Sequence, residues 1–146
     1  MVDDPSQPPP HLHRLLVRYG ETDQMGRVHH ANYLLYFEEA RTGMMRDLGA
    51  SYAGLERRGV GLPVRKADLR YRQAALYEEE LVVETRITRV GPASVTFEYR
   101  CLREADGGLV ATGSTELACI DLADGRLIHL PADMAEVFRG AQGSAE

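Results

Sequence analysis

The sequence has no tryptophan, only two cysteines and no long apolar run. Because a membrane-spanning helix needs ~20 consecutive apolar residues, we expect no stable membrane insertion. The first 13 residues lack the apolar centre of a signal peptide, which favours a cytoplasmic location. Lysine is equally scarce, since only Lys66 among the 17 basic residues is a lysine. Arginine therefore supplies nearly all the cations, and its planar fork suits phosphate groups.

Both cysteines, Cys101 and Cys119, lie inside predicted strands and lack the spacing of a metal site. We expect two small buried side chains rather than a disulfide or a pair of ligands. His11 and His13 are close in sequence, but two histidines in a polar, proline-rich segment are usually incidental. The sequence therefore predicts no metal site.

Size and charge restrict the class of protein. The net charge is −5 at pH 7, whereas nucleic-acid binding needs a basic surface, so nucleic acid is not expected as a partner. A small anionic ligand needs only a local cationic patch. At 146 residues the chain is expected to form one domain that buries roughly two-thirds of its unfolded surface.

Composition divides the chain into three parts. Residues 1–13 are polar and proline-rich, with too little apolar material to fold, and predict a disordered tail. Residues 14–138 carry the regular apolar patterns of one domain. Residues 139–146 predict a second disordered tail.

One helix is predicted from Tyr33 to Leu48. Apolar residues recur there at intervals of three and four and share one helical face: Tyr33, Phe37, Ala40, Met44 and Leu48. Three further apolar residues widen this face: Leu34, Leu35 and Met45. A helix this broadly apolar is expected to be covered on several sides. Gly49 is placed to end the helix, and Asn32 or His29 to cap its start.

The remaining pattern is one of strands. Alternating apolar residues with turn signals between them predict five to six strands, at Arg14–Tyr19, Val60–Arg72, Glu80–Val90, Ala93–Arg103, Leu109–Asp121 and a short piece, Arg126–Leu130. An irregularity is expected near Pro63, because proline cannot donate to a strand ladder. We expect an irregular connection at Ser51–Gly59 and a short helix at Ala132–Phe138. One helix with antiparallel strands indicates an α+β domain.

The most distinctive stretch joins the first predicted strand to the helix and contains Asp23 and His30. A helix N-terminus offers unpaired backbone N–H groups and a positive dipole end, which together polarise a carbonyl group. Asp23 offers a base or a nucleophile. An aspartate in a turn can equally cap backbone N–H groups, so the local sequence leaves both roles open.

The spacing within this stretch is specific. A tyrosine is followed after four residues by an aspartate, then by a glycine, a histidine and an Asn-Tyr pair: Tyr19, Asp23, Gly26, His30, Asn32 and Tyr33. This motif resembles the hotdog-fold acyl-CoA thioesterases of the 4-hydroxybenzoyl-CoA thioesterase family, and especially the bacterial branch associated with the Tol-Pal envelope system. The resemblance extends from Arg14 to Phe138 and includes further helix residues: Phe37, Glu39, Ala40 and Arg41.

The resemblance implies a hotdog fold, in which a curved antiparallel sheet wraps a long central helix, and hydrolysis of an acyl-CoA thioester. Backbone N–H groups near His30 would polarise the thioester carbonyl, while Asp23 attacks it or activates a water molecule. The His30 imidazole can also contribute, and Tyr19 would orient Asp23. Four further motif residues would contact substrate: Gly26, Val28, Asn32 and Tyr33.

The CoA part of such a substrate carries phosphate groups and is not a separate cofactor. We expect arginines near strand ends to bind these phosphates, with Arg89 and Arg103 favoured and Arg57 and Arg58 as alternates. The acyl group is expected near four residues: Tyr52, Leu55, Leu62 and Tyr71. Their side chains do not identify the acyl group.

Three other functions compete with thioester hydrolysis. A hotdog enoyl-CoA hydratase also pairs an aspartate with a histidine, usually in a different local pattern. A non-catalytic acyl-CoA-binding hotdog module would bind without turnover. A metal hydrolase built on His29 and His30 is least favoured, because adjacent histidines without further spaced ligands make a poor zinc site. Helix carboxylates such as Glu38 and Glu39 are expected to be structural, because Asp23 already fills the catalytic role.

Hotdog subunits pair side by side. The resemblance therefore predicts a homodimer or homotetramer in which each site lies at a subunit interface. The acyl-CoA substrate and a second copy of the chain are the partners that we expect.

Overall fold

The computed structural model describes residues 6–143. Its elements in chain order are β1 (His11–Leu16), α1 (Asn32–Asp47), α2 (Tyr52–Arg57), β2 (Val60–Gly61), β3 (Val64–Tyr71), β4 (Glu80–Val90), β5 (Ser94–Arg103), β6 (Leu109–Ala118), β7 (Ile120–Asp121) and α3 (Ala132–Gly140). A one-turn 3-10 helix, Tyr19–Glu21, lies between β1 and α1. Five strands form an antiparallel sheet in the order β1-β4-β5-β6-β3, and β2 pairs with β7. The α+β class is confirmed.

The helix α1 packs against one face of the sheet. The Phe37 ring stacks on the Tyr99 ring of β5, with 4.5 Å between centroids and 4° between planes. A Cβ on Gly113 of β6 would lie only 2.7 Å from the Phe37 ring, so this glycine allows the helix to approach. With 16 residues, α1 is the longest helix in the described part, about 24 Å at 1.5 Å per residue. None of the helices within residues 6–143 is long and apolar enough to span a membrane.

The buried face of α1 is narrower than the sequence predicted. Met45 is fully buried, as expected, but Leu34 and Leu35 are 38% and 59% exposed. These two side chains lie on the side of α1 that the sheet does not cover. The prediction that they widen the core is therefore wrong for this chain on its own.

One charged side chain is buried between α1 and the sheet, because Arg41 is only 4% exposed. Its Nε donates to the Tyr52 hydroxyl at 2.6 Å. Its Nη1 donates to the hydroxyls of Tyr99 and Thr115 at 3.0 and 3.3 Å. Tyr52 opens α2, a helix that replaces the irregular connection expected at Ser51–Gly59. Arg41 thereby joins α1, α2 and the sheet.

We expect Arg41→Ala to lower the free energy of unfolding by about 3 kcal/mol, because it removes charge-assisted hydrogen bonds to three hydroxyl groups and leaves a cavity between α1 and the sheet. Urea denaturation followed by circular dichroism measures the loss. Arg41→Met is the matched control, since it keeps an apolar stem and removes the desolvated charge, and we expect a smaller loss. A loss under about 1 kcal/mol for Arg41→Ala would contradict the anchoring role.

The first strand begins earlier than predicted, because β1 starts at His11 inside the segment 1–13 that we expected to be disordered. The side chain of His11 lies on the α1 side of the sheet, where Nε2 is 2.7 Å from Oδ2 of Asp47. His13 pairs in the same way with Glu39 of α1. These polar contacts hold β1 against the helix, which an apolar pattern does not predict.

The chain also remains structured beyond residue 138. The helix α3 extends two residues further, and the Gly143 N–H donates to the Ile87 carbonyl of β4 at 2.8 Å. The predicted tail 139–146 is thus partly occupied by helix and by a contact with the sheet. Residues 1–5 and 144–146, where the rest of the predicted tails falls, lie outside the described residues.

Two predicted strands are each divided in two. Val60–Arg72 contains β2 and β3, with the break at Pro63, as expected for a residue that cannot donate. Leu109–Asp121 contains β6 and β7. The piece Arg126–Leu130 forms only one bridge, to β7, and is not a strand. Both cysteines are buried free thiols, which confirms their expected packing role.

Candidate active site

Asp23 lies in the turn of residues 22–28, here called the Asp23 turn, which connects the 3-10 helix to α1. Its Oδ1 accepts hydrogen bonds from the backbone N–H groups of Met25 and Arg27 at 2.8 and 3.2 Å. Its Oδ2 accepts none from the described residues. One carboxylate oxygen therefore caps the turn while the other stays available. Asp23 can therefore both cap the turn and serve as a base or nucleophile, the two roles that the sequence left open.

Backbone pairing fixes the Asp23 turn. Thr22 and Val28 form an antiparallel bridge, and the Val28 N–H donates to the Ala75 carbonyl at 2.9 Å. Gly26 has φ of +77°, a left-handed conformation that favours glycine. The glycine of the motif thus serves the shape of the turn.

Two histidines, His29 and His30, lie just before the first residue of α1. The Nδ1 of His29 accepts a hydrogen bond from the Ala31 N–H at 3.3 Å. The carbonyl oxygens of His29 and His30 accept from the N–H groups of Asn32 and Tyr33 at 2.9 and 3.4 Å. The His30 N–H itself donates to no acceptor among residues 6–143. This backbone N–H is therefore free to bind an oxygen atom of a ligand.

A pocket of about 300 Å³ joins the Asp23 turn, the start of α1 and the end of β3. Its lining includes Asp23, Arg27, Val28, His30, Tyr33, Tyr71 and Arg72. The Tyr71 hydroxyl donates to the His30 carbonyl at 3.3 Å, and its ring lies 5.5 Å from the Tyr33 ring. Asp23 is the one acidic side chain among the lining residues that the structure describes.

The side chain of Tyr33, which lines this pocket, is uncharged. Burial raises the pKa of the Tyr33 hydroxyl to about 12, despite its hydrogen bond with the Ala75 backbone, so it stays protonated near neutral pH. The pocket therefore combines one free carboxylate oxygen, one free backbone N–H and aromatic side chains. This combination can polarise a carbonyl group and place a base or nucleophile beside it.

Tyr19 does not have the position expected for it. Its side chain is 76% exposed, and its ring lies 5.6 Å from the Tyr77 ring in an edge contact. No hydrogen bond joins the Tyr19 hydroxyl to Asp23 within the described structure. The Tyr19 side chain on the 3-10 helix is thus exposed, and the predicted orienting contact is absent among residues 6–143.

Asn32, which was predicted to contact substrate, does not line the pocket.

Two of the predicted phosphate-binding arginines are already paired with carboxylates. Arg58 donates two hydrogen bonds of 3.0 Å to the Asp133 carboxylate. Arg103 pairs with Glu79, with 2.5 Å between Nε and Oε2, and also contacts the Asp106 carboxylate. Opposite charges lie beside these two guanidinium groups, which makes them poor first choices for phosphate.

The other two predicted arginines lie outside the pocket. Arg57 lines a separate pocket of about 290 Å³ between α2 and α3. The strand register places Arg89 level with Glu116 of β6, five residues from Ala111, the partner of Tyr71. At about 3.4 Å per residue this separation is roughly 17 Å. Of the four predicted acyl-group residues, only Tyr71 lines the pocket with Asp23.

Sequence reasoning missed Glu21, which holds the Asp23 turn against α1. Its Oε1 accepts from the Arg18 backbone N–H and from the Tyr36 hydroxyl, each at 2.9 Å. Its carbonyl oxygen accepts from Asn32 Nδ2 and from the His29 N–H, each at 2.9 Å. Burial opposes the negative charge, but the hydrogen bonds outweigh burial and lower the carboxyl pKa. The three-residue spacing of Arg18 and Glu21 was the available signal.

We expect Tyr36→Phe to cost about 1.5 kcal/mol of folding free energy at pH 7, because Glu21 loses a hydrogen bond to its ionised carboxylate. The native pKa of Glu21 is lowered, so its charge stabilises the fold above the unfolded pKa and that contribution is lost as the pH falls through the native pKa. The cost of the substitution should shrink accordingly. Urea unfolding at pH 7 and at successively lower pH, down to about pH 3, follows this cost, and a cost that stays constant over the whole range would contradict this role.

Known proteins are similar to this chain over most of its length. A model of the thioesterase-like superfamily matches residues 17–138. The acyl-CoA thioesterase YbgC of Haemophilus influenzae is 32% identical over 123 residues, which cover 84% of this chain and 89% of that protein.

Two solved structures are similar along most of their length. The DHNA-CoA thioesterase of Staphylococcus aureus has a TM-score of 0.84 and 33% identity, and the match covers 88% of each chain. The hypothetical protein TT1821 of Thermus thermophilus has a TM-score of 0.85 and 36% identity, with 90% of this chain and 99% of that chain covered. The fold is thus the hotdog-like fold of these proteins, and the chain belongs to the thioesterase-like superfamily.

Proposed function

We propose that this protein is an acyl-CoA thioesterase, which hydrolyses the thioester bond to release a free acid and CoA. One observation carries the proposal: Asp23, with its free Oδ2 atom, and His30, with its free backbone N–H, line the same pocket. The names of the similar acyl-CoA thioesterases support the same reaction.

Two routes use these groups. In one, the Asp23 carboxylate attacks the thioester carbon, the C–S bond breaks, and water hydrolyses the resulting mixed anhydride. In the other, Asp23 accepts a proton from a water molecule as its oxygen attacks the carbon, and the proton is passed to the departing thiolate. In both, the His30 N–H stabilises the negative charge that develops on the carbonyl oxygen.

A panel of aryl, short branched and long-chain acyl-CoA esters tests the proposal. We expect at least one ester to yield equal amounts of free thiol and free acid. Water addition to an enoyl-CoA without thiol release would instead identify a hydratase. Binding of acyl-CoA with no turnover of any ester would identify a non-catalytic module.

We further propose that the active form is a homodimer or a homotetramer. The strand β3 lies at an edge of the sheet, and seven of its eight residues are exposed. An unpaired edge strand favours pairing with another chain. Because β3 ends at Tyr71, a second copy beside it would also enclose the open pocket. Light scattering should give at least twice 16.2 kDa, and a fully active monomer would contradict this.

The assignment to a branch of the family rests on the motif that contains Asp23 and His30. We propose the branch associated with the Tol-Pal system because the stretch from Tyr19 to Tyr33 has its spacing.

A cytoplasmic location remains a prediction. Expression from the native locus with a fluorescent fusion would test the location, and a signal confined to the envelope would contradict it.

A further inference from the structure

Three arginines close to the catalytic pocket have free guanidinium groups. The side chains of Arg27, Arg70 and Arg72 form no hydrogen bond or ion pair with the residues that the structure describes. Arg27 and Arg72 line the pocket with Asp23. In a protein of net charge −5, unpaired cations beside a pocket are expected to meet an anionic ligand.

Arg70 and Arg72 also line a larger groove of about 640 Å³ on the face of the sheet that α1 does not cover, here called the outer groove. Tyr71 lies between them in sequence and contacts the helix side, so strand alternation directs both arginines to the other face. Arg72 lines both the catalytic pocket and the outer groove. The two spaces are therefore neighbours at the end of β3.

The outer groove has a cationic end and an acidic end. Arg70 is level with Thr112 of β6, whereas Asp68 is level with Ser114 and lies further from the catalytic pocket. Arg100 lines the groove as well, but its Nη1 contacts Glu84 at 2.8 Å. The free positive charge is thus concentrated at the end next to the pocket.

An acyl-CoA matches this arrangement. Its phosphate groups are joined to the thioester by a long, uncharged arm, so a thioester bound at Asp23 requires a separate anion site some distance away. Arginine forks bind phosphate oxygens in pairs, and hydroxyl groups such as that of Thr112 can add donors. We infer that Arg70, in the outer groove, binds the CoA phosphates, and that Arg27 and Arg72 line the path from the catalytic pocket to this anion site.

This inference rests on the proposed thioesterase function and adds Arg70 to the four arginines that the sequence favoured, of which Arg58 and Arg103 are paired with carboxylates. Its test compares two thioesters of the same acyl group, the CoA ester and the N-acetylcysteamine ester, which has no phosphates. For Arg70→Ala, a change at a side chain that does not line the catalytic pocket, we expect KM for the CoA ester to rise at least roughly tenfold, with kcat within about threefold. Kinetics with the N-acetylcysteamine ester should not change.

Arg14→Ala is the matched control. Arg14 is an exposed arginine on the same face of the sheet, but it lies on β1 at the opposite edge, with its guanidinium near Glu104. We expect no change in either KM. Arg70→Lys should restore part of the CoA preference, because lysine keeps the charge without the planar fork.

The outcomes separate the two proposals. An unchanged KM for the CoA ester in Arg70→Ala would overturn the phosphate site while leaving the thioesterase function in place. An equal rise for both esters would also overturn it, because the effect would not depend on phosphate. A wild-type protein that hydrolyses neither ester would refute the proposed function, and the inference with it.

Discussion

Asp23→Asn should fold as the wild type does and lose about 10²–10⁴ in kcat, the usual contribution of a positioned acid–base group. The amide oxygen can still accept the hydrogen bonds from Met25 and Arg27 that the Oδ1 atom accepts now. The amide cannot attack a thioester or take a proton at neutral pH. The loss would be larger still if Asp23 were the covalent nucleophile.

Steady-state kinetics with the best ester measures this loss, and circular dichroism and light scattering establish that the variant is folded and assembled. Asp23→Ala serves as a second variant, because it also removes the cap of the turn and should cost a further ~1 kcal/mol of stability. A soluble Asp23→Asn variant within about threefold of the wild-type rate would defeat the assignment, since that factor is under ~1 kcal/mol of barrier.

His30→Pro should lower kcat by about 10²–10³, the effect of removing one preorganised donor to the carbonyl oxygen. Proline lacks a backbone N–H, and the His30 N–H makes no hydrogen bond with residues 6–143 that the substitution would remove. The substitution therefore acts on the free donor itself.

His30→Ala is the control for the side chain, because it removes the imidazole and keeps the N–H. We expect His30→Ala to stay within about tenfold of the wild-type rate. Equal losses in the two variants would transfer the role from the backbone to the imidazole. A folded His30→Pro variant with nearly full activity would contradict the polarising role altogether.

Local spacing predicted that two residues of the proposed site lie close together. Asp23 and His30 are seven residues apart, in the Asp23 turn and just before α1, so their proximity depends on a short segment whose glycine and helix start are visible in the sequence. The main strands and α1 could be predicted for the same reason, because their apolar periodicity is local.

Contacts between distant segments could not be predicted. His11 reaches Asp47, 36 residues away, and this polar contact helps to place β1 where the sequence predicted a disordered tail. The direction of the Tyr19 side chain depends on a 3-10 helix that no periodicity signals. Arginine function depends equally on tertiary contacts: Arg103 and Arg72 have the same side chain, but only Arg103 has acidic neighbours that pair with it.

The central claim concerns where the thioester lies, and a crystal structure of Asp23→Asn with its best acyl-CoA ester tests it most directly. The slow variant should retain the intact substrate. We predict the thioester carbonyl oxygen at about 2.7–3.1 Å from the His30 nitrogen, with the side chain of residue 23 beside the carbonyl carbon. A thioester bound away from the Asp23 turn, with the His30 N–H facing solvent, would contradict the account.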